Sequence, residues 1–220
     1  MFLNLLTNLQ VDDIKMSRAM ANKIQKQIFK YFIVLDFEAT CMKDRKIEPQ
    51  EIIEFPMLKI DTKSLQITSE FHRYVKPVHH YILTPFCSEL TGITQDIVDR
   101  EDTFPKVFKS AKEWIEKETR ENSYAIVTFG DWDLNLMLPE QCHLIGEGVP
   151  AYFKRWINIK KVFAERTGIF PRNLKELLSR LSLRHIGHHH SGYDDCVNIA
   201  NITRELCRRG FVLNYTTTKI

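Results

Sequence analysis

The stretch Ile33-Val-Leu-Asp-Phe-Glu-Ala-Thr-Cys41 decides the fold, because in it an apolar run ends in two carboxylates. Side chains alternate between the faces of a strand, so Asp36 and Glu38 share one face and Phe37 takes the other. Acids on a solvated strand edge are the simple interpretation. Val34, however, has the same parity and lies in a run that is apolar on both faces, as in a strand buried on both sides. We therefore expect the two acids beside a core, where bound cations would neutralise their repulsion.

Length and composition indicate one folded domain, with or without an extension. The chain has 220 residues, of which 44% are hydrophobic, and this suffices for a sizeable core. Its five cysteines are widely spaced and form no C-x-x-C pair, which favours reduced thiols and a cytosolic or nuclear location. The first residues lack the features of a secretory signal, and no apolar run reaches the ~20 residues of a membrane span. We therefore expect neither secretion nor a membrane partner.

The chain divides into an N-terminal helical extension, residues 1–29, and a domain, residues 30–220. Apolar residues of the extension, such as Ile14 and Ile28, are spaced for a helical stripe, which suits a docking segment for a protein partner. In the domain, strands are predicted over residues 30–37, 51–60 and 67–75, the last two as a hairpin. Pro56 predicts an edge or a bulge for the second of these strands.

A second buried strand is predicted over residues 124–129, and it ends at Gly130-Asp-Trp-Asp133 before a helix. Ligands of α/β folds bind at this carboxyl edge of the sheet. Asp131 suits the role of helix N-cap, whereas Asp133, inside the first turn, is better placed as a ligand. The segment by itself leaves a structural and a ligand-binding role equally open.

The third acidic segment is Gly187-His-His-His-Ser-Gly-Tyr-Asp-Asp195, in which another helix is predicted to begin. One turn back from Ile199, in the apolar stripe of that helix, lies Asp195, whereas Asp194 falls on the polar side. His190 is five residues earlier and can reach the same cavity. A zinc site of three consecutive histidines is disfavoured, because adjacent side chains cannot all face one ion and no cysteine has finger spacing.

Together these segments offer four carboxylates and one histidine: Asp36, Glu38, Asp133, Asp195 and His190. Hard oxygen ligands favour Mg²⁺ or Mn²⁺ over zinc. Two such ions can hold a phosphodiester, and a histidine can accept a proton from the attacking water, so the pattern indicates metal-assisted phosphodiester hydrolysis. Residues 151–190 carry nine Lys or Arg against two Glu, a surface that suits nucleic acid and a solvated helical face equally.

The motifs Asp36-Phe-Glu-Ala-Thr40, Trp132-Asp133 and His190-x-x-x-x-Asp195 resemble the three exonuclease motifs of the DEDDh superfamily. Further stretches resemble the branch that contains the 3′ histone mRNA exonuclease, the enhanced-RNAi exonuclease and Snipper: Glu51-Ile-Ile-Glu-Phe-Pro56, Tyr74-Val-Lys-Pro77, Leu90-Thr-Gly-Ile-Thr-Gln95, Val98-Asp-Arg100, Thr103-Phe-Pro105, Trp156-Ile-Asn-Ile159 and Ser191-Gly-Tyr-Asp-Asp195. The resemblance covers about residues 31–212. It implies a ribonuclease H-like exonuclease fold of the α/β class, with a central mixed five-stranded sheet flanked by helices.

The resemblance also implies an activity, a 3′-to-5′ exoribonuclease that releases nucleoside 5′-monophosphates from free RNA 3′ ends. Asp36, Glu38, Asp133 and Asp195 would bind two Mg²⁺ ions, for which Mn²⁺ substitutes, and His190 would be the general base. The terminal nucleotide would contact positions from three segments: Phe37, Ala39, Thr40, Leu90, Thr91, Gly92, Ile93 and Trp132.

Three other functions remain open on the sequence. DNA could be the substrate, because nothing in these motifs reads a 2′-hydroxyl. A binding module that lacks chemistry is a second alternative, although all five catalytic positions hold usable side chains. An endonuclease of the same fold is the third, and it is disfavoured by the spacing from His190 to Asp195.

Overall fold

The computed structural model describes residues 25–218. Of the predicted N-terminal extension, residues 1–24 lie outside the described residues, and residues 25–30 are not helical. The Gln27 side chain donates to the Phe211 carbonyl at 2.8 Å and accepts from the Leu213 N–H at 3.0 Å. Phe29 is buried in the main core. Residues 27–29 therefore pack with the domain that follows them.

A mixed sheet forms the centre of the molecule. Its strands are β1 (Tyr31–Leu35), β2 (Glu38–Ala39), β3 (Ile52–Asp61), β4 (Gln66–Tyr74), β5 (Tyr124–Thr128), β6 (Arg155–Asn158) and β7 (Thr217–Thr218). The order across the sheet is β4-β3-β1-β5-β6-β7, and β2 extends the pairing of β1 along β3. Neighbours β1, β5 and β6 are parallel, and the other pairs are antiparallel. The five longer strands confirm the predicted five-stranded mixed sheet, to which two short strands are added.

Strand β3 lies inside the sheet, between β1 and β4, so the prediction of an edge at Pro56 is wrong. The bulge in its pairing with β4 falls between Lys59 and Ile60, not at the proline. On the other side, β1 ends opposite Met57 and β2 begins opposite Glu54. Pro56 therefore lies beside a gap in the ladder, where its missing N–H does not interrupt a continuous strand pairing.

Helices cover both faces of the sheet. They are α1 (Pro85–Thr91), α2 (Gln95–Val98), α3 (Phe104–Thr119), a π-helical turn (Asp133–Met137), α4 (Leu138–Leu144), a 3₁₀ turn (Ala151–Phe153), α5 (Ile159–Thr167), α6 (Leu174–Arg180) and α7 (Gly192–Arg208). One core packs α5, α6 and α7 on the face that carries Val34, and the other packs α3 and α4 on the face that carries Ile33 and Leu35. Strand β1 is thus buried on both sides, as its sequence predicts. Within residues 25–218, no helix is long and apolar enough to cross a bilayer.

Candidate active site

The first acidic segment lies where β1 gives way to β2. Phe37 packs edge-on against Phe55, with ring centroids 4.6 Å apart, in the core under α3. Asp36 and Glu38 face away from that core and are each half-buried. The alternation predicted from sequence therefore holds across the break between the two strands, and it presents both carboxylates to the same cleft.

The second acidic segment follows β5, and it separates the roles of its two acids. Asp133 is buried at the start of the π-helical turn, and its Oδ1 accepts the N–H of Phe37 at 2.9 Å, which ties this segment to the first. Asp131 turns the other way, toward the Trp156 indole N–H at 2.9 Å and the Lys161 ammonium at 2.8 Å. Its side chain caps no helix, so the predicted N-cap role is wrong.

Helix α7 brings the third acidic segment to the cleft. Ser191 is its N-cap, and Asp195, in the first turn, is 5% exposed. Asp195 Oδ2 accepts the N–H of His190 at 3.0 Å. His190 has φ +67°, a left-handed backbone that costs a non-glycine residue of the order of 1 kcal/mol and that recurs at functional positions. One oxygen of Glu38, one of Asp195 and one ring nitrogen of His190 lie within 4.8 Å of one another.

Glu54, which the sequence analysis did not assign to the site, joins α7 to the sheet. Its side chain is 1% exposed and accepts three hydrogen bonds, from the N–H groups of Gly192 at 2.8 Å and Tyr193 at 3.2 Å and from His72 Nε2 at 2.7 Å. A Cβ added at Gly192 would lie 2.9 Å from the Asp36 carbonyl and 3.0 Å from Glu54. Glu54 and Gly192 together therefore bring the helix that carries Asp195 close to Asp36.

Burial raises the pKa of three carboxylates in the cleft, and neighbouring charges add to the shift for Asp36 and Glu38. Burial, followed by the charges of Asp133 and Glu38, raises the pKa of Asp36 well above its usual value. Burial, followed by the charges of Glu54 and Asp195, raises the pKa of Glu38 to about 9. Burial raises the pKa of Asp133 to about 6, although the hydrogen bond from Phe37 opposes the shift. Each ionised form is thus disfavoured unless a positive charge enters the cleft.

No Lys or Arg within residues 25–218 forms an ion pair with Asp36, Glu38 or Asp133. A compact group of oxygen donors without a partner cation matches the donor set that hard divalent cations prefer. The residues present therefore fit a divalent metal centre. By contrast, Asp131 already has its cation, Lys161. Burial acts to raise the pKa of Asp131, but hydrogen bonds from Lys161, Asn158 and Trp156, together with the charge of Lys161, lower it below the usual value.

His190 lies at the mouth of the same cleft. Burial, and then the neighbouring charge of His189, lower its pKa below the usual value, while Asp195 opposes the shift. A lowered pKa leaves the imidazole neutral and able to accept a proton at neutral pH. Its ring lies 4.0 Å from the ring of His189 between centroids.

The cleft has a volume of about 330 Å³ and is lined by twelve residues: Asp36, Phe37, Glu38, Ala39, Cys41, Gln50, Leu90, Phe129, Gly130, Trp132, Asp133 and His190. Of the predicted substrate contacts, Phe37, Ala39, Leu90 and Trp132 line it. Trp132 is 37% exposed, which leaves an indole face open to a ligand.

The other predicted substrate contacts do not line the cleft. Thr40 is buried and accepts the N–H of Glu51 at 3.0 Å. Thr91 and Ile93 are buried at the end of α1, and Gly92 is exposed as its left-handed C-cap.

Comparison with protein families gives one match that covers most of the chain. A family model described as Exonuclease (RNase_T) matches residues 33–203. The mouse protein "ERI1 exoribonuclease 3" is 52% identical over 195 residues, which are 87% of this chain and 58% of the mouse protein. The human "3'-5' exoribonuclease 1" is 39% identical over 188 residues, 83% of this chain and 54% of the human one. The chain thus spans somewhat more than half the length of these curated relatives.

Solved structures agree with the fold. The nuclease domain of 3'hExo, described as a DEDDh family member bound to rAMP, superposes with a TM-score of 0.85 at 38% identity, covering 88% of this chain and all of that one. A structure described as 3′-end specific recognition of histone mRNA stem-loop by 3′-exonuclease gives a TM-score of 0.82 at 36% identity, covering 86% of this chain and 87% of the other. The ribonuclease H-like architecture predicted from sequence is therefore confirmed.

Proposed function

The chain belongs to the exonuclease family whose sequence model matches residues 33–203, and from that premise we propose that it is a metal-dependent 3′-to-5′ exoribonuclease. The observation that carries the proposal is the convergence of Glu38, Asp195 and His190 within 4.8 Å, beside the buried Asp133. Acids of this kind, raised in pKa and lacking a cation, are suited to metal-assisted hydrolysis. We assign the catalytic domain to residues 30–220, and the five free cysteines are in keeping with a cytosolic or nuclear setting.

Asp36, Glu38, Asp133 and Asp195 would hold two Mg²⁺ ions, with Mn²⁺ as a substitute. When bound, such ions activate the attacking water and neutralise charge on the leaving oxygen. The protein's own contribution is to fix the four carboxylates. The Phe37 N–H orients Asp133, and the His190 N–H orients Asp195.

His190 would act as the general base. Its neutral imidazole, at the mouth of the cleft, accepts a proton from the attacking water and later passes it to solvent. The backbone of His190 is held by its own N–H on Asp195, so the base and a metal-binding acid keep a constant separation.

The 3′-terminal nucleotide would enter between Leu90 and Trp132, which line the cleft opposite the Phe37 to Ala39 backbone. Further from the acids, the Lys160 ammonium lies 5.4 Å from the Phe129 ring and 4.9 Å from the exposed Phe170 ring. An ammonium group flanked by aromatic faces suits a single strand with phosphates and stacked bases. Thr40, Thr91, Gly92 and Ile93 then shape the pocket without lining it.

RNA is the proposed substrate because the relatives at 52% and 39% identity are named exoribonucleases. The structural neighbours are described as bound to rAMP and to a histone mRNA stem-loop. DNA is the alternative substrate. RNA and DNA strands of one sequence, each incubated with the protein, distinguish these two substrates. An exoribonuclease should shorten the RNA strand at least tenfold faster than the DNA strand.

The defining experiment follows a 5′-labelled single-stranded RNA with a free 3′ hydroxyl in the presence of Mg²⁺. We expect a ladder that shortens from the 3′ end and disappears when a chelator is added. Asp133→Asn should abolish the ladder, and Asp131→Asn is the matched control from the same segment, because its carboxylate faces Lys161. Internal cuts in a circular RNA would instead indicate an endonuclease. Binding of the RNA without shortening would indicate a binding module.

The role of His190 is tested by His190→Ala. Turnover should fall by roughly a thousandfold, while the Kd for RNA in Ca²⁺ stays within a few fold of the unmodified protein. His188→Ala is the control, since this neighbouring side chain is exposed. Undiminished hydrolysis in His190→Ala would remove the histidine from the mechanism.

A further inference from the structure

Behind the catalytic cleft, two further histidines converge on Asp195. His185 Nε2 lies 3.6 Å from Asp195 Oδ1, and His189 Nδ1 lies 3.4 Å from Asp195 Oδ2. The Asp195 side chain is 7% exposed, and those of His185 and His189 are 20% and 30% exposed. One ligand atom from each residue falls within 4.8 Å of the other two. These two histidines are distinct from His190, which faces Glu38.

Three buried atoms of this group have no hydrogen-bond partner within residues 25–218: His185 Nε2, His189 Nδ1 and Asp195 Oδ1. Buried polar atoms are normally satisfied, so three together require an explanation. Separations of 3.4 and 3.6 Å exceed the N–H···O distance of about 2.7–3.2 Å. Zinc, however, binds nitrogen and oxygen at about 2.0–2.2 Å in a tetrahedron, which puts two of its ligands about 3.4 Å apart. The two observed separations are close to this value, although each runs to a different oxygen of Asp195, and the three side chains are thus near enough to share one ion.

The loop that carries the two histidines is anchored to α7 independently of them. The Ile186 N–H donates to Asn198 Oδ1 at 2.9 Å, and Asn198 Nδ2 donates back to the Ile186 carbonyl at 2.8 Å. The His188 N–H donates to Asp194 Oδ2 at 2.7 Å. These bonds fix the backbone of the loop between His185 and His189. The two side chains therefore face Asp195 even without a bound ion.

We propose that His185, His189 and Asp195 form a second metal site that takes zinc and inhibits hydrolysis by competing for Asp195. Two imidazoles with one carboxylate suit zinc, whereas Mg²⁺ prefers an all-oxygen set. Zinc bound here would occupy the Asp195 carboxylate and so make it unavailable to the proposed catalytic metal site beside Glu38 and His190. The binding site stands on its own geometry, and only the inhibition rests on the proposed exonuclease activity.

Binding is tested first, on the full chain in excess Mg²⁺, by competition for zinc with a chromophoric chelator and by the visible absorption of bound Co²⁺. We expect one equivalent of zinc with nitrogen and oxygen ligands. His185→Ala should weaken its binding at least tenfold, and His185→Asn serves as a second variant should the first fail to fold. His188→Ala, from the same loop, should bind zinc like the unmodified protein.

The catalytic cleft is the competing location for zinc, and Glu38→Gln distinguishes it. Zinc at the proposed site survives Glu38→Gln and is lost in His185→Ala. The reverse pattern, or an absence of zinc binding in the unmodified protein, overturns the site. Neither measurement requires nuclease activity, so failure of the proposed function leaves this result interpretable.

Inhibition is tested next, at buffered free zinc, with each rate taken relative to the same variant without zinc. His185→Ala should need at least tenfold more free zinc for half-inhibition than the unmodified protein or His188→Ala. Equal sensitivity of all three proteins would overturn the inhibitory role.

Discussion

Glu51 and the half-buried pair Asp36 and Glu38 lie near the start of β3, but their surroundings differ. Glu51 is 2% exposed and accepts three backbone N–H groups, those of Val78, His79 and His80, at 2.7 to 2.9 Å. Asp36 and Glu38, on the neighbouring segment from β1 to β2, carry raised pKa values. A buried carboxylate that accepts several N–H groups is a structural anchor, whereas one without donors requires a cation. The supply of hydrogen-bond donors therefore distinguishes Glu51 from the pair Asp36 and Glu38.

The largest effect expected is on activity, at the group without donors. Asp36→Asn removes a charge that we propose binds metal, and it should lower kcat by roughly a thousandfold. The same change removes a source of repulsion, so the metal-free protein should keep or raise its Tm. Thermal unfolding in chelator measures the Tm, and single-turnover hydrolysis in Mg²⁺ measures the rate of the chemical step. An unchanged kcat together with a lower Tm would make Asp36 a structural anchor like Glu51.

At Glu51, the structural anchor, we expect a loss of stability without a loss of activity. Glu51→Gln weakens three charge-assisted hydrogen bonds and should lower the free energy of unfolding by about 2 kcal/mol. The kcat of the folded fraction should be unchanged, because Glu51 holds the chain at residues 78–80, away from the acids. Urea unfolding measures the stability. A Glu51→Gln variant with unchanged stability and a lower kcat would show that Glu51 is not a structural anchor.

Glu54 shares a property with each group. Like Glu51 it accepts hydrogen bonds from several donors, and like Asp36 and Glu38 it is adjacent to the cleft. Glu54→Gln retains one acceptor oxygen but weakens the hold on α7, so kcat should fall roughly tenfold and the Mg²⁺ concentration for half-maximal rate should rise. Glu54→Asp should restore less than the full rate because its shorter side chain cannot reach the same N–H groups. Loss of stability without a change in Mg²⁺ dependence would restrict Glu54 to a structural role.

The last effect expected is a pH dependence of the stability of the metal-free protein. The folded pKa of Glu38, about 9, lies above the usual value, so folding favours the protonated form. The contribution of Glu38 to stability is therefore complete below about pH 4.5 and is lost as the pH rises toward about 9. Tm measured in chelator should decline over this range more steeply than in Glu38→Gln, and Mg²⁺ should reverse the decline. Identical slopes for the two proteins would contradict the raised pKa.

Local periodicity was sufficient to predict the main elements and the inward acids. Alternation identified the face of Asp36 and Glu38, and a single helical step separated the buried Asp195 from Asp194. The hairpin of β3 and β4 followed from two alternating runs around a polar turn. Each of these inferences depends on residues within a few positions of one another, where backbone geometry fixes the outcome.

Predictions that depend on distant partners failed or were absent. Asp131 looked like a helix cap, but its partner Trp156 is 25 residues away, on the neighbouring strand β6. Pro56 suggested an edge strand because a proline lacks the N–H that a central strand needs. The gap between β1 and β2, which accommodates it, cannot be inferred from the proline itself. Glu51 and Glu54 were not singled out, although acids in the apolar run Glu51-Ile-Ile-Glu-Phe55 were a usable signal of buried partners.

The close contact of Gly192 with Asp36 and Glu54 has a consequence for biosynthesis. Gly192 and Glu54 are 138 residues apart, so strands β1 to β4, with Asp36 and Glu38, leave the ribosome long before α7 does. Until residues 190–195 are synthesised, the nascent chain lacks His190 and Asp195, so the proposed exonuclease site is incomplete while the message is being translated. A side chain at position 192 would push α7 away from Asp36 and should leave the finished protein equally inactive.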